Sequence, residues 1–263
     1  MELSVREVRE LIEGTDDCDL PVLAERLRAD GRPGVRKAME SALRRAERRR
    51  AERERLEGMY AYQDALAREC GASLAVGLDE VGRGPLAGPL AVGAVVLPCT
   101  PLIARLDDSK RLAPAVREAV AQEVKETALA WAVAYVQPAE IDELGMAASL
   151  RRAFRSALAL VEERVSGIGL VLVDGNPLRI DGRERNVVKG DGKCASIAAA
   201  SIVAKVERDA LMERYGQLYP AYGFESNKGY GSAAHEQAIR EFGLSPIHRR
   251  SFCTKFLQPT LFG

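Results

Sequence analysis

The sequence predicts an α/β protein with a mixed central sheet flanked by helices and a small helical appendage before it. Two observations predict this arrangement. Up to residue 69, apolar residues recur at helical spacing with almost no strand signal, whereas after residue 71 short apolar runs alternate with amphipathic stretches. A chain of 263 residues can bury a full core. We therefore expect a helical appendage at 1–69, a larger catalytic domain at 70–257 and a short tail at 258–263.

The appendage is expected to consist of helices joined by turns. Two apolar stripes have helical spacing: Val5, Val8, Leu11 and Ile12, then Val22, Leu23 and Leu27. Turn residues occupy 14–17 and 31–34. Between residues 44 and 55, seven arginines accompany three glutamates. Such a helix either pairs its own charges at i,i+3 and i,i+4 or presents a basic face to phosphates, and both interpretations stay open.

The larger domain alternates strands and helices. Apolar runs predict strands at 74–78, 90–97, 128–136 and 169–173, and amphipathic patterns predict helices at 114–126, 147–165 and 197–215. The first two strands have no helix between them, which favours an antiparallel pair. Helices separate the later strands, so the sheet should be mixed.

Composition excludes several classes of protein. No apolar run reaches transmembrane length, and charges occupy the N-terminal segment where a signal peptide is apolar, so we expect a cytoplasmic protein without membrane contact. The five cysteines have no paired spacing, which argues against a zinc site and a disulfide framework. With 38 basic and 38 acidic residues, any binding to nucleic acid must use local basic patches.

Residues 77–86 carry the strongest chemical signal. Asp79 and Glu80 end an apolar run, and Arg83 follows between Gly82 and Gly84. Buried carboxylates need compensation, which a bound Mg²⁺ supplies, and glycines let backbone N–H groups approach a ligand closely. A solvated, charged turn is the alternative. The preceding strand and the paired glycines favour the metal site.

Two later aspartates occur in similar settings. Asp174 ends the apolar run 169–173 and precedes a glycine, and Asp191 lies between two glycines just before a predicted helix. Each alone is more typical of a loop or a helix cap. Together, Asp79, Glu80, Asp174 and Asp191 form an acidic set suited to two divalent ions with oxygen ligands. We predict that these four residues are both the metal ligands and the catalytic residues.

Seven phrases of the sequence resemble bacterial ribonuclease HII. They are DEVGRG (79–84), DSKRL (108–112), VDGN (173–176), KGD (189–191), SIAAASIVAK (196–205), KGYG (228–231) and HRRSF (248–252). They follow that family's order and span nearly all of residues 72–252, which makes the match highly specific. The resemblance implies a ribonuclease H-like fold with a C-terminal helical part. The appendage is similar to the N-terminal extension of some longer bacterial members, which is an accessory substrate-binding element.

The resemblance also implies an activity. The family cleaves RNA in RNA–DNA hybrids and at ribonucleotides embedded in duplex DNA, leaving a 3′-hydroxyl and a 5′-phosphate, with two Mg²⁺ or Mn²⁺ ions. No protein nucleophile is required, so His235 and His248 need not react. The related ribonuclease HIII has a strand-rich N-terminal domain, unlike this chain. A non-catalytic hybrid-binding protein is the alternative class, although a phosphate binder would gain nothing from an anionic pocket.

Substrate contacts are likewise assigned by resemblance. The resemblance implies that Gly82, Arg83 and Gly84 contact the 2′-hydroxyl. It also implies that Tyr230 packs on the sugar of the next deoxynucleotide. The alternative for Tyr230 is a partly buried aromatic of the core. Ser196 belongs to the same expected substrate set. Four cations are expected to touch phosphates, or else to be ordinary solvated side chains: Lys110, Lys189, Lys193 and Arg249.

The segment 258–262, QPTLF, resembles the short peptide by which bacterial replication proteins bind the sliding clamp. A terminus packed onto the core is the alternative. The expected partners are thus RNA–DNA hybrids, ribonucleotide-containing duplex DNA and the clamp, and we expect the protein to be a monomer.

Overall fold

The computed structural model describes residues 3–257 and divides into two compact units, one ending at Glu57 and the other beginning at Gly58. The division lies inside one helix, α3 (Pro33–Glu69), rather than near residue 70. The physical reason is that the end of this helix packs into the second unit, where Ala67 joins a buried cluster with Ala75 and Leu170.

The first unit is helical, as predicted, and comprises α1 (Val5–Glu13), α2 (Leu20–Arg26) and the first part of α3. Ser4 and Glu7 form a capping box at the start of α1. The predicted turn at 31–34 is shorter in the structure because Pro33 already opens α3. The core of this unit is built from six buried side chains: Val8, Ile12, Leu20, Val35, Met39 and Ala42.

The second unit contains a mixed sheet, as predicted, to which five strands contribute among the described residues. These are β1 (Leu74–Val81), β2 (Leu90–Val96), β3 (Ala130–Val136), β4 (Ile168–Asp174) and β5 (Glu184–Val187). Their order is β3-β2-β1-β4-β5. The expected antiparallel pairing of β1 with β2 is confirmed, and β1, β4 and β5 run parallel. The carboxyl ends of β1 and β4 therefore lie side by side.

The predicted helices agree with the structure to within a few residues. Those of the second unit, after the end of α3, are α4 (Pro114–Thr127), α5 (Pro138–Leu144), α6 (Met146–Glu162), α7 (Ala195–Leu218), α8 (Phe224–Asn227), α9 (Ala233–Phe242) and α10 (Thr254–Leu257). Short 3₁₀ helices occur at Gly190–Gly192, Pro220–Tyr222 and Arg250–Phe252. None of the helices in the described part of the chain is long and apolar enough to cross a membrane.

Helices α6 and α7 cover opposite faces of the sheet. Apolar residues of α6, among them Phe154 and Val161, pack with Val76 and Leu78 of β1 in the main core. On the other face, α7 crosses β1 so closely at Gly77 that a Cβ there would lie 2.2 Å from the carbonyl carbon of Ser196. This approach sets α7 directly behind the acidic end of β1.

A smaller cluster forms the expected C-terminal helical part. Met212 of α7, Phe224 of α8 and Ile239 of α9 share this core with Tyr222 and Ile247. The loop after β1 is tied to it because Ala87 pairs with His248 as an antiparallel bridge. Thus the loop that follows the acidic pair is anchored on the C-terminal segment.

Candidate active site

Two of the four predicted acids lie at the ends of neighbouring parallel strands. Leu78 pairs with Val173, so Asp79 and Asp174 follow at the next position of β1 and β4. Residues at the same level of adjacent parallel strands point to the same face, here the face covered by α7. Asp79 is buried, and its carboxylate accepts hydrogen bonds from the Glu80 N–H at 2.8 Å and from the Ser201 hydroxyl of α7.

Asp191 reaches the same edge of the sheet through β5. Val187 at the end of β5 is level with Asp174, and the chain then turns through Lys189, whose φ is +56°. The Gly190 N–H donates to Oδ1 of Asp174 at 2.6 Å. This bond fixes Asp191, the next residue, beside Asp174.

The acids influence one another electrostatically. Burial, reinforced by the negative charges of Glu80 and Asp174, raises the pKa of Asp79 to about 8. Burial also raises the pKa of Glu80, and the negative charge of Asp174 raises it further. The pKa of Asp191 is raised by burial and by the charges of Asp108 and Asp174. The charge of Asp174 thus acts on all three of the other predicted ligands, so the structure brings the four predicted acids together as one cluster.

The loop before α4 brings two residues that the sequence interpretation did not select. The charge of Asp108 acts on Asp191, and the Ser109 hydroxyl lies 3.0 Å from the hydroxyl of Ser201. Both belong to the phrase DSKRL, and this part of the family resemblance could have identified them as site residues. Lys110, which was predicted, is close enough for its charge to oppose the rise in the pKa values of Glu80 and Asp191.

These side chains do not already form a closed ligand cage. Within residues 3–257, no three His, Cys, Asp or Glu side chains have the arrangement of a preformed metal site. Asp79 and Asp174 instead accept backbone N–H bonds from Glu80 and Gly190.

The glycine-flanked loop has a defined orientation. Arg249 donates from its guanidinium to the carbonyl oxygens of Gly82 at 2.6 Å and Arg83 at 3.1 Å. Because a trans peptide directs its carbonyl and the next N–H in opposite directions, the N–H groups of Arg83 and Gly84 point away from Arg249. The loop therefore turns these backbone donors away from the buried guanidinium. The exposed Arg83 side chain places its Nη1 3.6 Å from Oε1 of Glu80.

The expected phosphate contact by Arg249 is wrong for this structure. Arg249 is 0% exposed, and its Nε also donates to the Gly88 carbonyl at 2.9 Å. Arg208 of α7, which sequence reasoning missed, is equally buried and donates to the carbonyls of Pro89 and Lys228. A sequence shows the charge of an arginine but not whether carbonyl groups surround it.

The comparisons with known proteins agree with this architecture. A family model described as Ribonuclease HII matches residues 76–255, and one described as Ribonuclease HII N-terminal domain matches residues 4–67. The chain belongs to the ribonuclease HII family. It is also similar to a curated Ribonuclease HII of Lactobacillus delbrueckii subsp. bulgaricus, at 39% identity over 95% of each chain.

Solved structures of ribonuclease HII relatives share the fold. The ribonuclease H2 of Pyrococcus horikoshii has a TM-score of 0.60 and 28% identity, covering 71% of this chain and all of that one. The ribonuclease HII in a PCNA complex from Archaeoglobus fulgidus has a TM-score of 0.57 and 28% identity, covering 71% of this chain and 98% of that one. The predicted ribonuclease H-like fold is confirmed. As a member of this family, the protein is a ribonuclease H-type endonuclease, a hydrolase that acts on RNA–DNA hybrids.

The remaining predicted substrate residues differ in accessibility. Tyr230 is 47% exposed, unlike a core aromatic. Lys193 is exposed, and its Nζ donates to the Val188 carbonyl. Ser196 is fully buried, its N–H donates to Oε1 of Gln63 at 2.9 Å, and its hydroxyl faces the Cys194 thiol, so the structure does not bring it to the surface.

Proposed function

We propose that this protein cleaves the RNA strand of RNA–DNA hybrids and also cuts at ribonucleotides embedded in duplex DNA, using two divalent metal ions held by Asp79, Glu80, Asp174 and Asp191. The observation that carries the proposal is the grouping of these four acids at one edge of the sheet, where β1 and β4 end and the 3₁₀ helix after β5 begins. Three of them have raised pKa values because of burial and mutual repulsion. The products would be a 3′-hydroxyl and a 5′-phosphate.

The donor set fits Mg²⁺ or Mn²⁺. Carboxylate oxygens are the ligands that these hard cations prefer, and burial of several anionic groups without a cation is costly. When bound, such ions lower the pKa of a water and stabilise the oxygen that leaves in an in-line displacement. The chain's own residues then hold the ions and orient the strand, and the reaction needs no protein nucleophile.

Two cations near the acids would position the phosphate. Lys110 acts on Glu80 and Asp191, and Arg83 lies beside Glu80, so both charges face the centre. Positive groups at this edge attract the phosphate backbone toward the acids, whose own charge would otherwise repel it.

Recognition of RNA is proposed to use the loop and Tyr230. The outward N–H groups of Arg83 and Gly84 can donate to a 2′-oxygen, and Gly84 leaves open space where a side chain would block a minor groove. The half-exposed side chain of Tyr230 is available to pack on the sugar of the deoxynucleotide that follows the ribonucleotide. This pairing would read an RNA-to-DNA junction.

The test of catalysis is Asp79→Asn. We expect it to abolish turnover of a single-ribonucleotide duplex while leaving binding of an RNA–DNA hybrid nearly intact, and EDTA should reproduce the loss in the unaltered protein. Wild-type cleavage rates in the variant would remove Asp79 from the catalytic set. Cleavage that survives chelation would refute the metal mechanism, and hybrid binding without cleavage under all metal conditions would favour the non-catalytic alternative.

The test of recognition is Tyr230→Ala. We expect impaired cleavage at one embedded ribonucleotide, measured against an all-RNA hybrid strand as the internal reference. Equal activity of the variant and the parent protein on the single-ribonucleotide duplex would contradict the role of Tyr230.

The first unit is proposed as an accessory substrate-binding element. On α3, Arg50 pairs with Glu54 and Arg53 pairs with Glu57, but all four side chains are at least half exposed, so these pairs are weak and easily exchanged for phosphate contacts. Deleting residues 1–57 should reduce the dependence of hybrid affinity on salt concentration. An unchanged salt dependence would count against phosphate contacts.

The proposed clamp-binding segment, 258–262, lies outside the described residues. Its support is the sequence resemblance, together with the Archaeoglobus fulgidus relative whose structure is a PCNA complex. Purified sliding clamp should capture the parent protein in a pull-down but not the double variant Leu261→Ala/Phe262→Ala. Capture of the double variant would refute this role.

A further inference from the structure

The two histidines of the chain face each other in the C-terminal cluster. His235 lies on α9 and His248 on the segment that pairs with Ala87, and both are buried. Their Nε2 atoms are 3.0 Å apart. Tyr222 and Phe224 pack against both rings, so the contact is shielded by aromatic side chains.

The hydrogen bonds at the two ends determine where each proton lies. The Ser245 backbone N–H donates to Nδ1 of His248 at 2.9 Å, so this nitrogen carries no proton and Nε2 does. At the other end, Nδ1 of His235 lies 2.7 Å from the carbonyl oxygen of Tyr230, which can only accept, so this nitrogen carries the proton. The His248 Nε2–H therefore donates to the bare Nε2 of His235. Both ends give the same direction, and any other pair of neutral tautomers would leave a ring nitrogen without its partner.

The chain of bonds links two parts of the proposed recognition site. Next to His248, the Arg249 side chain holds the carbonyls of Gly82 and Arg83, and its backbone N–H donates to the Leu86 carbonyl. At the other end, the Gly229 carbonyl accepts from Leu86 and Ala87, directly before Tyr230. The histidine pair thus spans from the segment that holds the loop to the backbone of the tyrosine.

We propose that His248 and His235 form a hydrogen-bonded relay with one fixed pair of tautomers, and that this relay sets the position of Tyr230 relative to the loop at 82–88. The two histidines are positioning residues, and neither touches the substrate. The proposal deepens the recognition of an RNA-to-DNA junction and rests on the role proposed for Tyr230.

The surroundings favour the neutral forms that the relay requires. Burial lowers the pKa of His248 to about 4, with a contribution from His235, and burial also lowers the pKa of His235. Glu236, on the same helix, is the charged group that opposes this lowering at His235. A proton added to Nε2 of His235 would set two N–H groups against each other across the 3.0 Å contact, and a proton added to Nδ1 of His248 would face the Ser245 N–H that now donates to that nitrogen.

The first experiment needs no variant. The chain contains two histidines, so ¹⁵N spectra of the ring nitrogens in the intact protein give one Nδ1–H tautomer and one Nε2–H tautomer if the relay exists. Two rings with the same tautomer, or two rings that exchange between both, would overturn the proposal.

The second experiment separates the two ends of His235. His235→Asn retains an amide N–H near the position of Nδ1, so the Tyr230 carbonyl keeps a donor. His235→Gln instead places its amide near the position of Nε2 and leaves the Tyr230 carbonyl without a donor. We expect His235→Gln to lower kcat/KM on a single-ribonucleotide duplex about tenfold relative to an RNA–DNA hybrid, and His235→Asn to restore most of that ratio. Tyr222→Phe, which removes only a bond from the same cluster to the Gly243 carbonyl, is the matched control and should leave the ratio unchanged.

Tyr230→Ala distinguishes failure of the relay from failure of the proposed function. If the relay acts through Tyr230, adding His235→Gln to Tyr230→Ala causes no further loss in the ratio. Additive losses, or equal losses in the Asn and Gln variants, would overturn the relay. If Tyr230→Ala alone leaves the ratio unchanged, the role of Tyr230 in recognition fails, while the ¹⁵N spectra still decide whether the relay exists.

Discussion

Gly82→Ala tests the structural reason for the glycine-flanked loop. Gly82 has φ of +84°, and a Cβ there would lie 2.2 Å from Nε and 2.8 Å from Cδ of Arg208. The left-handed backbone costs an alanine roughly 1–2 kcal/mol. In addition, Arg208 must move away from carbonyl groups that it holds, among them those of Pro89 and Lys228, and weakening one charged hydrogen bond of this kind costs about 1.5–3 kcal/mol.

Together these two contributions destabilise the protein by roughly 2.5–5 kcal/mol. Movement of the flexible Arg208 side chain relieves the clash, but it does not remove the backbone strain. Such a loss lowers the unfolding temperature by about 10 °C for a unit of this size. The assay is urea and thermal unfolding of the full chain. Gly84→Ala is the matched control because nothing lies within 4 Å of its added Cβ and its φ is not in the left-handed region. An unfolding free energy for Gly82→Ala equal to that of Gly84→Ala would refute the reasoning.

Three further predictions concern the same region. Gly84→Ala should lower cleavage of an RNA–DNA hybrid without changing the unfolding temperature, because its methyl group enters the proposed minor-groove contact; unchanged kinetics would contradict that contact. In EDTA, stability should fall as pH rises from about 4 to 8, since the pKa of Asp79 rises on folding from 3.8 to about 8 and the folded chain holds that proton more tightly. Asp79→Asn should flatten the dependence of the unfolding free energy on pH, measured by urea titration. An equal pH dependence in the variant and the parent protein would assign the effect to other groups. Mg²⁺ should raise the unfolding temperature of the parent protein at pH 8 more than that of Asp79→Asn, as ligand linkage requires, and equal shifts would argue against binding at this acid.

The fold and the acidic set were predictable because they depend on short-range patterns. Apolar runs of strand length ended at Asp79 and Asp174, and two parallel neighbours ending in acids have one edge at which to meet. Asp191 was predictable for a related reason, since the glycines beside it mark the turn between a strand and α7. These signals are local in the chain, so a sequence carries them directly.

Other features depend on contacts between distant segments, which periodicity does not encode. Ser201 looked like one small residue among many on α7, yet its hydroxyl reaches the Asp79 carboxylate. Asp108 acts on Asp191 across a loop. The end of α3 belongs to the sheet unit because Ala67 lies in one buried cluster with Leu170 of β4, whereas the sequence shows only an uninterrupted helix there. In each case the deciding partner is remote in the chain.

The buried position of Arg249 has a consequence for the proposed recognition of RNA. A guanidinium has only N–H donors, so the groups that it holds from the loop must be carbonyls, and those of Gly82 and Arg83 are held. The outward side of these two peptides is then limited to N–H groups. A 2′-hydroxyl satisfies such donors by accepting, while a deoxyribose offers no acceptor there and would leave them unpaired once water is excluded. Unpaired buried donors cost about 1–3 kcal/mol each, so in the proposed recognition the discrimination against DNA would arise from the penalty on the wrong sugar as much as from attraction to the right one. An arginine that sequence reasoning assigned to phosphate binding would therefore serve selectivity from inside the fold.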